Sequence, residues 1–286
     1  MRKIPKPNFS VSDVLTAAAS YVRSTDLRAK LDTQAVKDRL VAAEREYDNA
    51  AESNRIYTLL KSNDVAGILD KNESIGIYGR LRSLKIADKS AAMSIFKLAC
   101  LSKCGYCNHD TPTELDHYLP KTSFAEYAFC PINLVPSCSH CNAFGKKGGH
   151  VPTSPSDVLF HPYYDDPDDE KWLSVGMRVD TMGLIVKYQA AKPLRWSDRK
   201  FNKIKFTFEK LGLSEVYSAD LQTNLASLRV ALQGLYDTGN IQNLIDHFQS
   251  LANNMLSTYK NNWIGIGYEY MANNKQLCLD FPRWFP

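Results

Sequence analysis

The chain has 286 residues, 44% of them hydrophobic and 23% charged, with a net charge of +4. That composition excludes a disordered or fibrous protein and leaves room for a sizeable core. No apolar run reaches the roughly 18 residues of a membrane-spanning helix. The start, Met1-Arg2-Lys3-Ile4-Pro5-Lys6-Pro7, puts prolines where a secretory signal needs an apolar stretch, so a cytoplasmic location is expected.

A first helix is predicted from the capping candidates Ser10, Ser12 and Asp13 to about Val22. From Val36 the positions Val36, Leu40, Ala43, Tyr47, Ala50 and Tyr57 recur at spacings of four and three, with polar Asn54 in one slot, which predicts a long amphipathic helix. Another helix is expected from about Ala91 to Leu101. Residues 1–98 thus read as a helical region. Residues 99–152 lose helical spacing and crowd Cys, His, Asp, Asn, Pro and Gly together. Residues 153–286 begin with Pro-rich loops and the acidic run Asp165 to Glu170. A hairpin follows from Trp172 to Tyr188, turning at Thr181-Met182-Gly183. The stripes Leu221, Leu225, Leu228, Leu232, Leu235 and Leu244, Phe248, Leu251, Met255 predict two helices joined by a turn at Asp237-Thr238-Gly239-Asn240. Between Lys187 and Lys210, basic residues interleave with Tyr188, Trp196, Phe201, Phe206 and Phe208. This is either a nucleic-acid surface or a solvated helix face with its aromatics in the core.

Seven cysteines is an odd number, and a secreted disulfide framework would use an even one. Cys104 with Cys107 and Cys138 with Cys141 form two C-x2-C pairs thirty residues apart, the pattern of a structural zinc site in a reduced compartment. Cys100, Cys130 and Cys278 stand outside it and read as small buried hydrophobes. His161, beside the acidic run, reads as a structural histidine. In the stretch Leu115 to Leu119, a strand would put Asp116 and His117 on opposite faces unless the chain bends there.

Between and after the knuckles stand Asp116-His117, Asn133-Leu134 and Cys141-Asn142, then Lys146. In this order and spacing the segment resembles the HNH endonuclease family. The resemblance implies an α+β protein, mainly helical, around a central zinc-stabilised ββα-metal core. It implies that Asp116 and Asn142 ligate a catalytic Mg2+ or Mn2+ and that His117 is the general base. Asn133 would hold the loop that orients His117, Lys146 would contact phosphate, and Cys104, Cys107, Cys138 and Cys141 would hold Zn2+. The third motif position is Asn142 where many members carry His, an H-N-N version.

Tyr118 to Tyr127, leading to Asn133-Leu134-Val135-Pro136-Ser137-Cys138, is similar to the nuclease subunit of Septu-type and retron-linked anti-phage systems. That similarity implies a nucleic-acid substrate, with DNA favoured, and an SMC- or ABC-like ATPase partner. A retron reverse transcriptase with its RNA-DNA hybrid is a further implied partner. A ribonuclease acting on host RNA such as tRNA, and a non-catalytic zinc-binding adaptor, remain the alternatives.

Overall fold

The computed structural model describes residues 1–83, 103–144 and 149–285. It is a mixed α and β protein, mainly helical, with two-stranded sheets. The chain divides into two compact units, Met1–Asp166 and Pro167–Pro286.

In the first unit, α1 (Val11–Tyr21) opens with the expected cap: the Ser10 side chain accepts from the Asp13 N–H and Asp13 bonds back to the Ser10 N–H. After α2 (Thr25–Asp32), α3 (Gln34–Glu52) buries Val36, Leu40, Ala43, Tyr47 and Ala50. It ends before Tyr57, although the apolar spacing continues. Asn54 takes a left-handed φ of 54°, and the Arg55 N–H reaches back to the Ala50 carbonyl at 2.6 Å. This is a Schellman-type stop, which Asn tolerates better than other residues with a Cβ. A small hairpin, β1 (Asp64–Val65) with β2 (Leu69–Asp70), leads into α4 (Lys71–Ser83).

The second hairpin of this unit pairs β3 (Glu114–His117) with β4 (Leu134–Ser137), antiparallel, with Asp116 opposite Val135 and His117 opposite Leu134. A short helical turn, His140–Phe144, follows β4. Leu115, Ala128, Phe129 and Leu134 belong to the same apolar cluster as Val11, Val14, Leu15, Leu40, Ile77 and Leu81. The N-terminal helices and the cysteine-bearing segment therefore share one core. The helix expected at 91–101 lies outside the described residues.

In the second unit, β5 (Leu173–Asp180) and β6 (Gly183–Ala190) form the predicted hairpin, turning through Thr181 and Met182. Helices α5 (Asp198–Lys210), α6 (Leu213–Tyr236), α7 (Ile241–Thr258), α8 (Trp263–Ala272) and α9 (Lys275–Leu279) complete it. The basic and aromatic stretch resolves into core and paired surface. Tyr188, Trp196 and Phe208 are buried, so they do not offer faces to bases. Lys200 pairs with Asp169 at 2.6 Å, Arg195 with Glu170 at 3.5 Å, and Lys192 with Asp198. The acidic run thus pairs with Arg195 and Lys200 of the basic stretch.

Gly267 lets α8 approach α6 and β6. A Cβ there would stand 2.5 Å from the Leu221 Cδ2 and 3.0 Å from the Tyr188 hydroxyl, which itself donates to the Trp263 carbonyl. Alanine favours a helix over glycine by about 1 kcal/mol, whereas overpacking a closed core costs about 1–3 kcal/mol. Leu221 is fully buried, so the clash should win. Gly267→Ala is expected to lower the thermal midpoint measured by circular dichroism; an unchanged or raised midpoint would show that Leu221 repacks freely.

Candidate functional site

The four cysteines of the two C-x2-C pairs are buried, and their sulfurs all lie within 4.8 Å of one another. All four are free thiols. The Cys107 and Cys138 sulfurs are 3.8 Å apart. A tetrahedron with metal–sulfur bonds of about 2.3 Å has edges of about 3.8 Å, so donor type and spacing both fit a zinc ion. These four cysteines could hold one.

The first knuckle turns through Asn108, at a φ of 55°, whose N–H donates to the Cys104 carbonyl at 2.7 Å. The His109 N–H points at the Cys107 sulfur at 3.4 Å. Gly105 is required by close approach: a Cβ would lie 2.9 Å from the Pro162 Cβ. In the second knuckle the Asn142 N–H donates to the Cys138 carbonyl at 3.1 Å. Hydrogen bonds from Cys104, Cys138 and Cys141 push the Cys107 thiol far below its ordinary value. The same mutual bonding holds Cys141 far above it. Thiols bonded to one another this closely lose a first proton more readily than an isolated cysteine, and it is the thiolate that binds zinc.

The hairpin beside this cluster carries the Asp-His pair. β3 stays paired through His117, so ordinary strand alternation separates the two side chains. Asp116 is buried and accepts a 3.1 Å hydrogen bond from the Tyr106 hydroxyl, which comes from inside the first knuckle. Burial, and then the charge of Asp116, push that hydroxyl well above the usual tyrosine range, so it remains a donor. Glu114, two residues before Asp116 on the strand, accepts a hydrogen bond from the Asn142 side-chain amide. Asn142 is therefore linked to the strand that bears Asp116.

His117 has different surroundings. Its Nε2 lies 2.7 Å from the Ala128 carbonyl. A carbonyl only accepts, so Nε2 carries the proton and Nδ1 is the basic nitrogen of the neutral ring. The ring packs edge-on against Tyr78 of α4 at 4.3 Å, and the Tyr78 hydroxyl donates to the Leu115 carbonyl at 2.9 Å.

Asn133 is fully buried and holds the chain on both sides of this arrangement. Its Oδ1 accepts the Leu119 N–H at 2.7 Å, and its Nδ2 donates to the Leu119 and Tyr127 carbonyls at 2.9 and 3.0 Å. Its backbone carbonyl accepts the Tyr118 N–H at 2.9 Å. One side chain thus joins the segment just after His117 to the segment just before Ala128.

His161 is enclosed by tyrosines. Its Nε2 lies 3.0 Å from the Tyr47 hydroxyl, its Nδ1 accepts the Tyr163 N–H at 3.3 Å, and Tyr118 stacks on it at 4.2 Å. Lys146 and Cys100 lie outside the described residues. Sequence reasoning missed Tyr106, Glu114, Tyr78 and the Ala128 carbonyl. Of these, Glu114 carried a legible signal, since it alternates with Asp116.

No family model matches the chain, and no solved structure matches it. Over 97% of its length it is 24% identical to "Protein ea31" of Escherichia phage lambda, and the match spans 99% of that protein. Over 82 residues it is 35% identical to "Septu protein PtuB" of Bacillus thuringiensis. The second match takes in 26% of this chain and 30% of that relative.

If the four thiols hold one zinc ion, wild type purified without chelator should contain about one zinc per chain by plasma mass spectrometry, a four-coordinate site taking one ion. Cys138→Ser should lose that zinc and melt at a clearly lower temperature, because the metal-binding free energy is folding free energy. Equal zinc in both proteins would exclude the tetrathiolate.

Proposed function

We propose that this chain is a metal-dependent endonuclease of HNH type that hydrolyses phosphodiester bonds, DNA being the favoured substrate. We further propose that it is the effector of an anti-phage defence system working with an SMC- or ABC-like ATPase. The observation that carries the chemical part is the link between the hairpin bearing Asp116 and His117 and the helical turn bearing Asn142, made by the Glu114–Asn142 hydrogen bond beside four clustered cysteines. The partial similarity to a Septu protein supports the defence role. The ATPase is carried over from the Septu resemblance, and a retron reverse transcriptase with its RNA-DNA hybrid would be a further partner if the system is of the retron-linked kind.

Asp116 and Asn142 would hold the divalent cation. A carboxylate and an amide oxygen are the hard donors that Mg2+ or Mn2+ prefers. The bound cation supplies Lewis-acid neutralisation of the phosphate and of the departing oxygen. His117 takes the proton of the attacking water on Nδ1, while Nε2–H stays bonded to the Ala128 carbonyl. The same bond stabilises the imidazolium once the proton has arrived. Asn133 fixes the segments on either side and so holds ring and carbonyl together. Lys146, four residues beyond Asn142 in sequence, is assigned to a substrate phosphate. With Asp116 and His117 on opposite faces of β3, the reading requires the scissile phosphate to lie across the strand end, in reach of both.

Plasmid DNA and total tRNA should be incubated with Mg2+ or Mn2+ and either wild type or His117→Ala, alone and with the proposed ATPase partner. Wild type is expected to cut DNA, and the variant to be slower by about 10²- to 10⁴-fold, the usual worth of a general base. Cleavage confined to tRNA would make the chain a ribonuclease. No cleavage in any combination by folded, zinc-loaded protein would leave a zinc-binding adaptor and remove the catalytic roles.

A further inference from the structure

Each cysteine knuckle touches one of the oxygen donors assigned to the cation. Tyr106 sits between Cys104 and Cys107, buried at 1% exposure, and its hydroxyl holds the Asp116 carboxylate at 3.1 Å. Asn142 directly follows Cys141, and its backbone N–H is tied to the Cys138 carbonyl. Its side-chain Nδ2 donates to Glu114. A carboxylate only accepts, so the amide must turn its nitrogen to Glu114 and its Oδ1 to the other side.

We propose that Tyr106 and Glu114 are positioning residues that set the Asp116 carboxylate and the Asn142 amide for a single divalent cation, making the four-cysteine centre and the cation site one coupled unit. The inference rests on the nuclease reading in so far as Asp116 and Asn142 are the cation's ligands.

The physical reason lies in where these two residues are anchored. A carboxylate turns about one soft torsion and an amide about another, and each must be ordered before it can ligate. Tyr106 belongs to a loop closed by its two flanking sulfurs and wedged at Gly105 against Pro162, so its hydroxyl has little freedom. Fixing Asp116 from such a loop removes its ordering cost before the cation arrives. Glu114 does the same for Asn142 from the strand. Hydrogen-bond partners of metal ligands commonly contribute 10- to 100-fold in metal affinity.

The test uses the full zinc-loaded chain and reads Mn2+ binding by the loss of the free-ion paramagnetic resonance signal, with zinc content and melting temperature measured on the same samples. Tyr106→Phe, which removes one oxygen and keeps the ring, should retain zinc and melt close to wild type while binding Mn2+ about 10- to 100-fold more weakly. Glu114→Ala should weaken Mn2+ binding as well, and Glu114→Gln, which keeps an oxygen for the Asn142 amide, should weaken it less. Asp116→Ala should abolish binding. Wild-type Mn2+ affinity in Tyr106→Phe and Glu114→Ala, with binding still lost in Asp116→Ala, would overturn the coupling and leave the cation site standing. Equal binding, or none, in wild type and Asp116→Ala would instead remove the cation site itself, and the coupling with it. Loss of zinc from Tyr106→Phe would also overturn the proposal, since the hydroxyl would then act on the knuckle and not on Asp116.

Discussion

The arrangement depends on bringing Cys104 and Cys107 to within bonding range of Cys138 and Cys141. The sheet between them has only four residue pairs, and an isolated two-stranded hairpin of that length is marginal in water. Its connection, residues 118–133, is too long for a tight turn to hold. Four sulfurs within 4.8 Å of one another hold the other end of the hairpin, where β3 begins and β4 ends. Because the second knuckle leads straight into Asn142, the closure also brings the helical turn to the strand. Without it, the turn would be held to the strand by hydrogen bonds such as Glu114–Asn142, each contributing only about 1 kcal/mol.

Inside the excursion the organising residue is Asn133. A buried amide must satisfy its donors and acceptor, and Asn133 does so on backbone groups from two separate stretches. A shorter or apolar side chain would take these partners from the buried Leu119 N–H and carbonyl. This explains why an asparagine stands in an otherwise apolar run, Ile132 to Val135.

Much of this was legible in the sequence. The α1 cap, the body of α3, the β5–β6 hairpin and the α6–α7 pair follow from periodicity and turn residues, and the cysteine cluster from spacing. The end of α3 was not, because apolar periodicity says where a helix faces and a left-handed Asn says where it stops. Nor was α8, whose Trp263, Gly265, Ile266, Gly267, Tyr268 and Met271 are all buried, leaving no polar face to set a period. The alternation of Glu114 and Asp116 was readable. The Tyr106–Asp116 and His117–Ala128 contacts were not, since they join side chains to partners that only tertiary packing brings near.

The strand alternation at Asp116 and His117 divides control of the proposed chemistry between two parts of the chain. Asp116 looks to the knuckle that carries Tyr106. His117 looks to Tyr78 of α4 and to the turn that carries Ala128. Ala128, Leu115 and Tyr78 belong to the core built by α1, α2, α3 and α4. The N-terminal helices therefore pack the face of β3 that bears His117, while the first cysteine knuckle meets the face that bears Asp116. Disturbing the helical packing would act on His117 first, and disturbing the cysteines would act on Asp116 and Asn142 first. Two parts of the chain, the helical core and the cysteine cluster, thus converge on one four-residue strand.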